Sequence, residues 1–353
     1  MVLDSNPQKA SPSSALGEGL ALSCHDLDDL QSSARVGFEP HGKQGRVVVG
    51  RFAPTPSGKL HLGNLFSFLV AYLVAKQDGG SCLMRIEDLD PARSKQEYID
   101  AVFRDLDALG FEWDNEPVYQ SNRTEAYEEA YRLLQEQDLL YPCFCTRADL
   151  HSANAPHYGD ETVYPGTCRM LNAEQRAIKR ARRNPAMRII VPSQPISFHD
   201  IFQGMQTFNL EECSGDFILR RSDEVFAYQL AVVVDDAWMG VTSVIRGCDL
   251  ITSAPRQIYL QRCLGLATPS YGHIPLIVDS AGKRLAKRDK ATDIDYLLNE
   301  VGMHPEELLG QLAYATGLTS EKGSVTLDEL VKSADMTGLS GKTSIKLQDS
   351  LSF

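Results

Sequence analysis

The sequence predicts an α/β protein built on a doubly wound, Rossmann-like parallel sheet, and three observations carry that prediction. The apolar run Val47-Val48-Val49 leads into a loop-like stretch, Arg51 to Asn64, and then into a charge-free run from Leu65 to Ala75. This is the pattern of a buried strand turning into a buried helix. Ser81 to Ile86 reads as a second strand and ends on Glu87-Asp88, where acidic side chains would face the crevice at the carboxyl end of a parallel sheet. Helical patterns at Lys95 to Leu109 and Thr124 to Gln137 follow, and the stretches Asp216 to Asp236 and Gly240 to Gly247 read as β-rich. Within them, Leu230 to Val234 reads as a strand buried on both faces.

Composition sets limits on the rest. The 353 residues are 43% hydrophobic, which suffices for one large core or two moderate ones. No apolar run reaches the roughly 18 to 20 residues that span a bilayer, and the N-terminus lacks a basic segment followed by an apolar one. A cytoplasmic, membrane-free, monomeric protein is the expectation. With 35 Lys plus Arg against 47 Asp plus Glu the net charge is −12, so a polyanionic partner has to be met by a local basic patch. In a chain of this length without a signal, the eight cysteines point to reduced thiols with a metal site rather than to a disulfide framework.

The turn at Arg51 to Asn64 is chemically suited to a nucleotide. Backbone N–H groups at a helix start lack partners and sit at the positive end of the dipole, where phosphate is favoured. Gly58 and Gly63 let a ligand approach the backbone, Pro54 and Pro56 keep the loop out of helix, and His61 offers a donor to a phosphate oxygen. His-x-Gly alone would fit an ordinary strand-to-helix turn better. Its position and company favour the nucleotide.

Arg51 to Asn64 resembles the "HIGH" signature of class I aminoacyl-tRNA synthetases in the form found in the glutamyl-tRNA synthetase family. Arg85-Ile-Glu-Asp-Leu-Asp90, Tyr228 to Asp236, Val244-Ile-Arg-Gly247 and Arg284-Leu-Ala-Lys-Arg288 resemble that family's later motifs, in order. The resemblance runs from about Arg46 to Asp289. It implies that ATP activates glutamate to glutamyl-adenylate, with His61 and Lys287 stabilising phosphate charge and His61, Gly63, Asn64 and Lys287 binding ATP with its Mg2+. Glutamate would be met by Arg51, Phe52, Ala53, Pro54, Thr55, Glu87, Tyr228 and Arg246. Among these, Arg51 and Arg246 would fork the distal carboxylate and Glu87 would hold the ammonium group. Asp88 and Asp90 read as solvated loop residues. In the basic loop Gly282 to Asp289, Ala286 replaces the usual serine of the "KMSKS" signature, so any hydroxyl contact there is lost.

Outside these motifs, residues 1–43 are rich in Ser, Asp, Gly and Pro and are expected to be a disordered extension in which Cys24-His25 is inert. The first half of the catalytic domain is placed at 44–140 and the second at 186–280. Between them, at 141–185, Cys143, Cys145 and Cys168 could supply three soft ligands to a tetrahedral ion, zinc being the expected one. From chemistry alone His151 or His157 would complete the set. Resemblance to the glutamyl-queuosine tRNA(Asp) synthetase family, which carries Cys-x-Cys and Tyr-x-x-x-Cys in this segment, implies Tyr164 instead. The cluster Arg176, Lys179, Arg180, Arg182, Arg183 and Arg188 fits a docking site for a phosphate backbone and a solvated helix face equally. Trp238 and Met239 are read as packing residues. Helical patterns recur at Ala254 to Leu264, Ile294 to Glu300 and Pro305 to Thr316, with a polar tail after them. The part from 281 to 353 holds the basic loop and this small helical piece.

Only 64 residues follow Asp289, too few for the anticodon-binding domain of ordinary glutamyl-tRNA synthetases. Asn64-Leu-Phe-Ser-Phe also lacks the Arg-Thr usual at that point. Both departures fit the glutamyl-queuosine branch, whose acceptor is the anticodon stem-loop of tRNA(Asp) carrying queuosine. A truncated enzyme charging a tRNA 3′ end, and a non-catalytic binding module that kept the fold, are the competing readings.

Overall fold

The computed structural model describes residues 47–146, 149, 163–279, 282–283 and 292–346. The expected N-terminal extension with Cys24 and His25, the histidines His151 and His157, and residues 284–289 of the basic loop, including Ala286 and Lys287, lie outside them.

Strand β1, Val49–Phe52, pairs in parallel with β2, Ser81–Ile86, which pairs in parallel with β3, Val118–Tyr119. Between the first two runs α1, Leu62–Gln77. Its apolar side chains are buried nearly all round, because sheet lies on one side and C-terminal helix on the other. After α2, Gln96–Ala108, and α3, Thr124–Glu136, the chain enters an antiparallel sheet. Its strands are β4, Leu140–Cys143, β5, Ala186–Ile189, and, after further elements, β8, Phe217–Arg220. The segment between β4 and β5 carries the cysteines and a short helix α4, Ala173–Arg180.

The second half contributes β6, Ile196–Asp200, and its antiparallel edge strand β7, Gly204–Phe208. Parallel strands β9, Ser243–Gly247, and β10, Ser270–Ile274, complete the order β7-β6-β10-β9. Val49 and Thr242 exchange hydrogen bonds at 2.8 and 2.9 Å, so β1 and β9 meet edge to edge and the two halves abut at a topological switch. Alternate residues separate two cores: Cys82, Met84 and Ile245 pack with α1 and α2, whereas Leu83 and Val244 pack with α3, α5, Tyr228–Trp238, and α6, Ser253–Cys263. Helices on both faces of a mostly parallel sheet make the predicted doubly wound class.

Leu230 to Val234 corrects one expectation. It lies inside helix α5, with Leu230, Ala231, Val232 and Val233 buried. A short continuous apolar run has no period to distinguish a strand from a helix buried on all sides, and here the surroundings are helical. The stretch after Thr316 is likewise more than a polar tail. Helix α7, Pro305–Thr316, ends on left-handed Gly317. Helix α8, Leu327–Ser333, starts at a Thr326–Glu329 capping box, and β12, Ser344–Lys346, pairs in parallel with β11, Leu276–Val278. Trp238 is 59% exposed, stacked under the Arg123 guanidinium at 3.8 Å rather than packed in a core. No helix among the described residues is long and apolar enough to cross a membrane.

The return from α1 to β2 is tight. A Cβ on Gly80 would lie 2.0 Å from the Val48 carbonyl oxygen and 2.9 Å from that of Ala75. Gly80→Ala should therefore cost about 2 kcal/mol, read as a fall of about 4 °C in the thermal midpoint.

Candidate active site

Pro54 and Pro56 end β1 by removing ladder donors, and the loop delivers the chain to α1. His61 caps that helix. Its Nδ1 accepts the Gly63 N–H at 3.0 Å while Asn64 Oδ1 accepts the His61 N–H at 3.2 Å, a capping box in which imidazole replaces the usual hydroxyl. This commits the Nδ1 lone pair, so the neutral ring carries its proton on Nε2. A Cβ on Gly63 would come within 3.0 Å of the His61 ring, so glycine keeps the ring where it is. Lys59 forms ion pairs with Asp295 at 2.6 Å and Asp293 at 3.7 Å, and Ile294 N–H donates to the Leu60 carbonyl at 3.1 Å. The chain leaving the basic loop is thereby tied to the turn that carries His61.

A cavity of about 480 Å³ opens at the carboxyl ends of β1 and β9, over the start of α1. Arg51, Ala53, Pro54, Thr55, His61, Gly63 and Asn64 line it from the first half, with Glu87; Tyr228 and Arg246 line it from the second. Phe52 does not. Its fully buried ring packs edge-on against Phe68 and Phe111 and stacks with Tyr72, so its side chain holds β1 in the core instead of meeting a ligand. Alternation along a strand dictates this, because neighbours of inward Arg51 must point the other way.

The wall behind the cavity is a buried charge network. Arg85, with no exposed atom, meets Asp236 at 2.6 Å and Glu87 at 3.4 Å, and Arg51 Nε lies 3.4 Å from the same Asp236 oxygen. Arg51 Nη1 also donates to the Ile245 carbonyl at 3.3 Å. Burial pushes the Glu87 carboxyl up, against the pull of Arg85 and Arg51. A cationic group in the cavity would stabilise its ionised form. Thr55 Oγ1 donates to its other oxygen at 3.3 Å. Asp88 and Asp90 stay outside, on Ser121 and Arg221.

Arg246 is held by a relay that the sequence reading missed. Its Nε donates to His273 Nε2 at 3.0 Å, and its Nη1 to Gln257 at 2.9 Å and to the Tyr228 hydroxyl at 3.5 Å. His273 Nδ1 in turn faces Asp200 at 2.5 Å, and Asp200 also accepts the N–H groups of Phe202, Gln203 and His273. Burial, against the raising influence of Asp200, holds the His273 pKa below its ordinary value, so the ring is neutral and accepts from Arg246. Arg246 Nη2 is left buried without a protein partner. Arg246 itself lines the cavity, where a guanidinium can meet an anion. The available signal was polar Asp200 and His273 inside strand patterns, where a buried ionisable group requires a partner.

The insertion gathers its cysteines as expected. Sγ atoms of Cys143, Cys145 and Cys168 all lie within 4.8 Å of one another, Cys145 and Cys168 at 3.6 Å. Metal–sulfur bonds of about 2.3 Å in a tetrahedron require sulfurs about 3.8 Å apart, so the set fits a thiophilic divalent ion. The Tyr164 hydroxyl lies beside the three thiols, accepting from Cys143 Sγ at 3.4 Å and from the Cys168 N–H at 2.8 Å, and 4.0 Å from Cys145 Sγ. Burial, and then the neighbouring Cys143 and Cys168, push the Cys145 thiol up to about 12, a conflict that a central cation removes. Arg188 leaves the predicted basic cluster: it is buried, lies over the Tyr164 ring at 3.7 Å and donates to the Asp216 carbonyl.

A capped histidine at the switch point of a doubly wound sheet, facing an amino-acid-sized cavity with paired cations and an acid, defines a nucleotide-dependent catalytic domain of the class I type. Residues 47–353 match the family of tRNA synthetases class I (E and Q), catalytic domain. The chain is 44% identical over 302 residues to a glutamyl-Q tRNA(Asp) synthetase of Symbiobacterium thermophilum, covering 82% of this chain and 93% of that one. It is 45% identical over 283 residues to the protein of the same name from Nitratidesulfovibrio vulgaris, with 77% and 87% covered. A crystallised glutamate tRNA ligase from Elizabethkingia meningosepticum, in complex with its amino acid, superposes with a TM-score of 0.73 at 26% identity, over 86% of this chain and 68% of the other. The chain belongs to the class I glutamate and glutamine tRNA synthetases, and among them to the glutamyl-Q tRNA(Asp) synthetase family.

The thiol cluster predicts about one equivalent of tightly bound metal per chain by elemental analysis, and its depletion in Cys145→Ser. A folded wild type that purifies metal-free and takes none up would refute the site.

Proposed function

We propose that the protein is an ATP-dependent ligase that activates glutamate to glutamyl-adenylate and transfers the glutamyl group to queuosine in the anticodon of tRNA(Asp). The observation that carries the substrate is the placing of the Arg246 guanidinium and the Glu87 carboxylate on the walls of one cavity. A dicarboxylic amino acid satisfies both ends: ammonium on Glu87, distal carboxylate on Arg246 with the Tyr228 hydroxyl beside it. Arg51 adds positive potential to the same wall, and Ala53, Pro54 and Thr55 shape the floor. The names of the relatives support the acceptor.

Activation forms a bond between a glutamate α-carboxylate oxygen and the α-phosphorus of ATP, and breaks the bond to pyrophosphate. His61 Nε2–H, Gly63 and Asn64 at the start of α1, and Lys287 from the basic loop, stabilise phosphate charge as it builds. Mg2+ accompanies ATP. In the second step the queuosine hydroxyl attacks the glutamyl carbonyl, AMP leaves, and the hydroxyl proton passes to the departing phosphate or to solvent. Cys143, Cys145, Cys168 and Tyr164 would hold Zn2+, which clips the 141–185 insertion and takes no part in these steps.

Arg246→Ala should raise the glutamate KM in ATP–pyrophosphate exchange by well over tenfold, because it removes the charged, bidentate partner of the distal carboxylate. Asp200→Asn, which loosens the support but keeps the guanidinium, should raise it less and leave the ATP KM alone. Exchange kinetics identical to wild type in Arg246→Ala would remove it from the site. The acceptor is tested by transfer of labelled glutamate to tRNA(Asp) with and without queuosine. Label is expected on the anticodon-stem fragment and only with queuosine; label on the 3′-terminal adenosine of a glutamate tRNA would overturn the assignment.

A further inference from the structure

Helix α4 is unlike the other helices of the fold in what it lacks. From Arg169 to Asn184 no residue is buried, and an eight-residue helix without a packed face gains nothing from tertiary contact. Its start is fixed by the Asn172–Gln175 capping box and by the short link to Cys168. The composition of this stretch is strongly one-sided: from Arg169 to Asn184 there are six Lys and Arg side chains and one acid, Glu174, in a chain whose net charge is −12. Arg176, Lys179 and Arg180 stand at i, i+3 and i+4. Arg183 continues the same face, its N–H bonded back to the Lys179 carbonyl at 3.1 Å.

A merely solvated helix face would be laced with ion pairs at these spacings. Here one acid, Asp149, acts against the stripe: its carboxyl is held below the ordinary range first by the Thr146 N–H and hydroxyl and then by Lys179 and Arg183, which leaves Arg180 and Arg182 to solvent. Lys179 and Arg180 do complement the helix dipole at its end, but that accounts for one turn and not for Arg182 and Arg183 beyond it. Like charges at i, i+3 and i+4 repel, so the stripe is kept at a cost to the helix that bears it. Over seven residues it extends about 10 Å, the reach of several consecutive phosphates.

We infer that the exposed face of α4 and the following turn, carrying Lys179, Arg180, Arg182 and Arg183 beside the half-buried Arg176, which donates to the Arg169 carbonyl at 3.3 Å, is the docking surface for the phosphate backbone of the acceptor RNA. The inference rests on the reading of the protein as an RNA-glutamylating ligase and adds where the RNA is gripped. The surface is anchored through Cys168 to the thiol cluster, and the antiparallel sheet that carries the insertion runs through β8 and a short turn into Tyr228 of the cavity. Such contacts position the RNA and carry no base specificity.

The test replaces Lys179, Arg180, Arg182 and Arg183 together by alanine, which preserves helix propensity. Three quantities are read: RNA-free pyrophosphate exchange, the tRNA KM for transfer, and the salt dependence of direct tRNA binding. Expected are unchanged exchange, a tRNA KM raised at least tenfold, and a slope of log K against log salt reduced by about 2 to 3. An unchanged tRNA KM and salt slope overturn the inference, and so does an equal loss of RNA-free exchange, which would mark the helix as a support of the fold. Absence of transfer by the wild type would count against the function reading alone. Direct binding to bulk tRNA and its salt slope still decide the surface.

Discussion

Arg85 is a cation with no exposed atom, and burying it is tolerable only because Asp236 meets it at 2.6 Å and Glu87 at 3.4 Å. Most of the site follows from that requirement. Asp236 reaches the sheet from α5, so the ion pair fixes the rotation and height of that helix and, at its other end, the place of Tyr228. The same carboxylate faces Arg51 on β1, and Glu87 leaves β2 toward the cavity. Two arginines and two carboxylates thus share one desolvated volume, each holding the others' side chains still. Removing one member would strand a buried charge, a loss of about 3 to 5 kcal/mol. The neighbouring Asp235 does the same on the opposite side, gathering Gln120 and Arg123 from the turn before α3 and Tyr127 from α3 itself, so that α5 is bound through one dipeptide to the sheet and to a helix of the first half.

A wall fixed in this way offers charge that need not reorganise when a substrate binds. Arg246 follows the same logic with a neutral support. Asp200 fixes the tautomer of His273, His273 fixes the plane of the guanidinium, and the two N–H groups of Nη2 have no protein partner. At the other wall, His61 obtains its orientation from the backbone of its own helix. Its energetic contribution as a cap and its proposed chemical use depend on different nitrogens, so they do not compete. The Lys59 ion pairs are partly exposed and contribute little energy, yet they set where the chain leaving the basic loop meets the nucleotide turn.

How much of this was legible depended on whether a residue's neighbours in sequence were also its neighbours in space. Ser81 to Ile86 and Pro305 to Thr316 were read with their boundaries intact, because alternation, a capping proline and a terminal glycine are local signals. Leu230 to Val234 was misread because an apolar run carries no period. Phe52 was placed with the ligand residues by its motif, whereas the strand's alternation turns its side chain to the core. Arg188 belonged by spacing to the basic cluster and by structure to Tyr164 and Asp216. Asp200 and His273 lie 73 residues apart, and nothing local joins them. The thiols could be read from spacing, since Cys-x-Cys and one further cysteine already imply convergence.

The insertion differs from the catalytic core in what holds it together. Its apolar cluster consists of Tyr141, Cys143, Phe144, Tyr164 and Cys168, a set far smaller than either core flanking the sheet, and three of its five members are themselves metal-ligand candidates. Burial of so few side chains cannot offset the ordering of a loop-rich segment. The antiparallel strands anchor its two ends, and an ion held by the three thiols would tie the middle of the segment together. The cavity, by contrast, is lined from β1, α1, α5, β9 and the end of β2, none of which passes through that cluster. Loss of such an ion would loosen the segment that carries α4 and leave the charge network behind the cavity standing, because Arg51, Arg85, Glu87 and Asp236 hold one another without it.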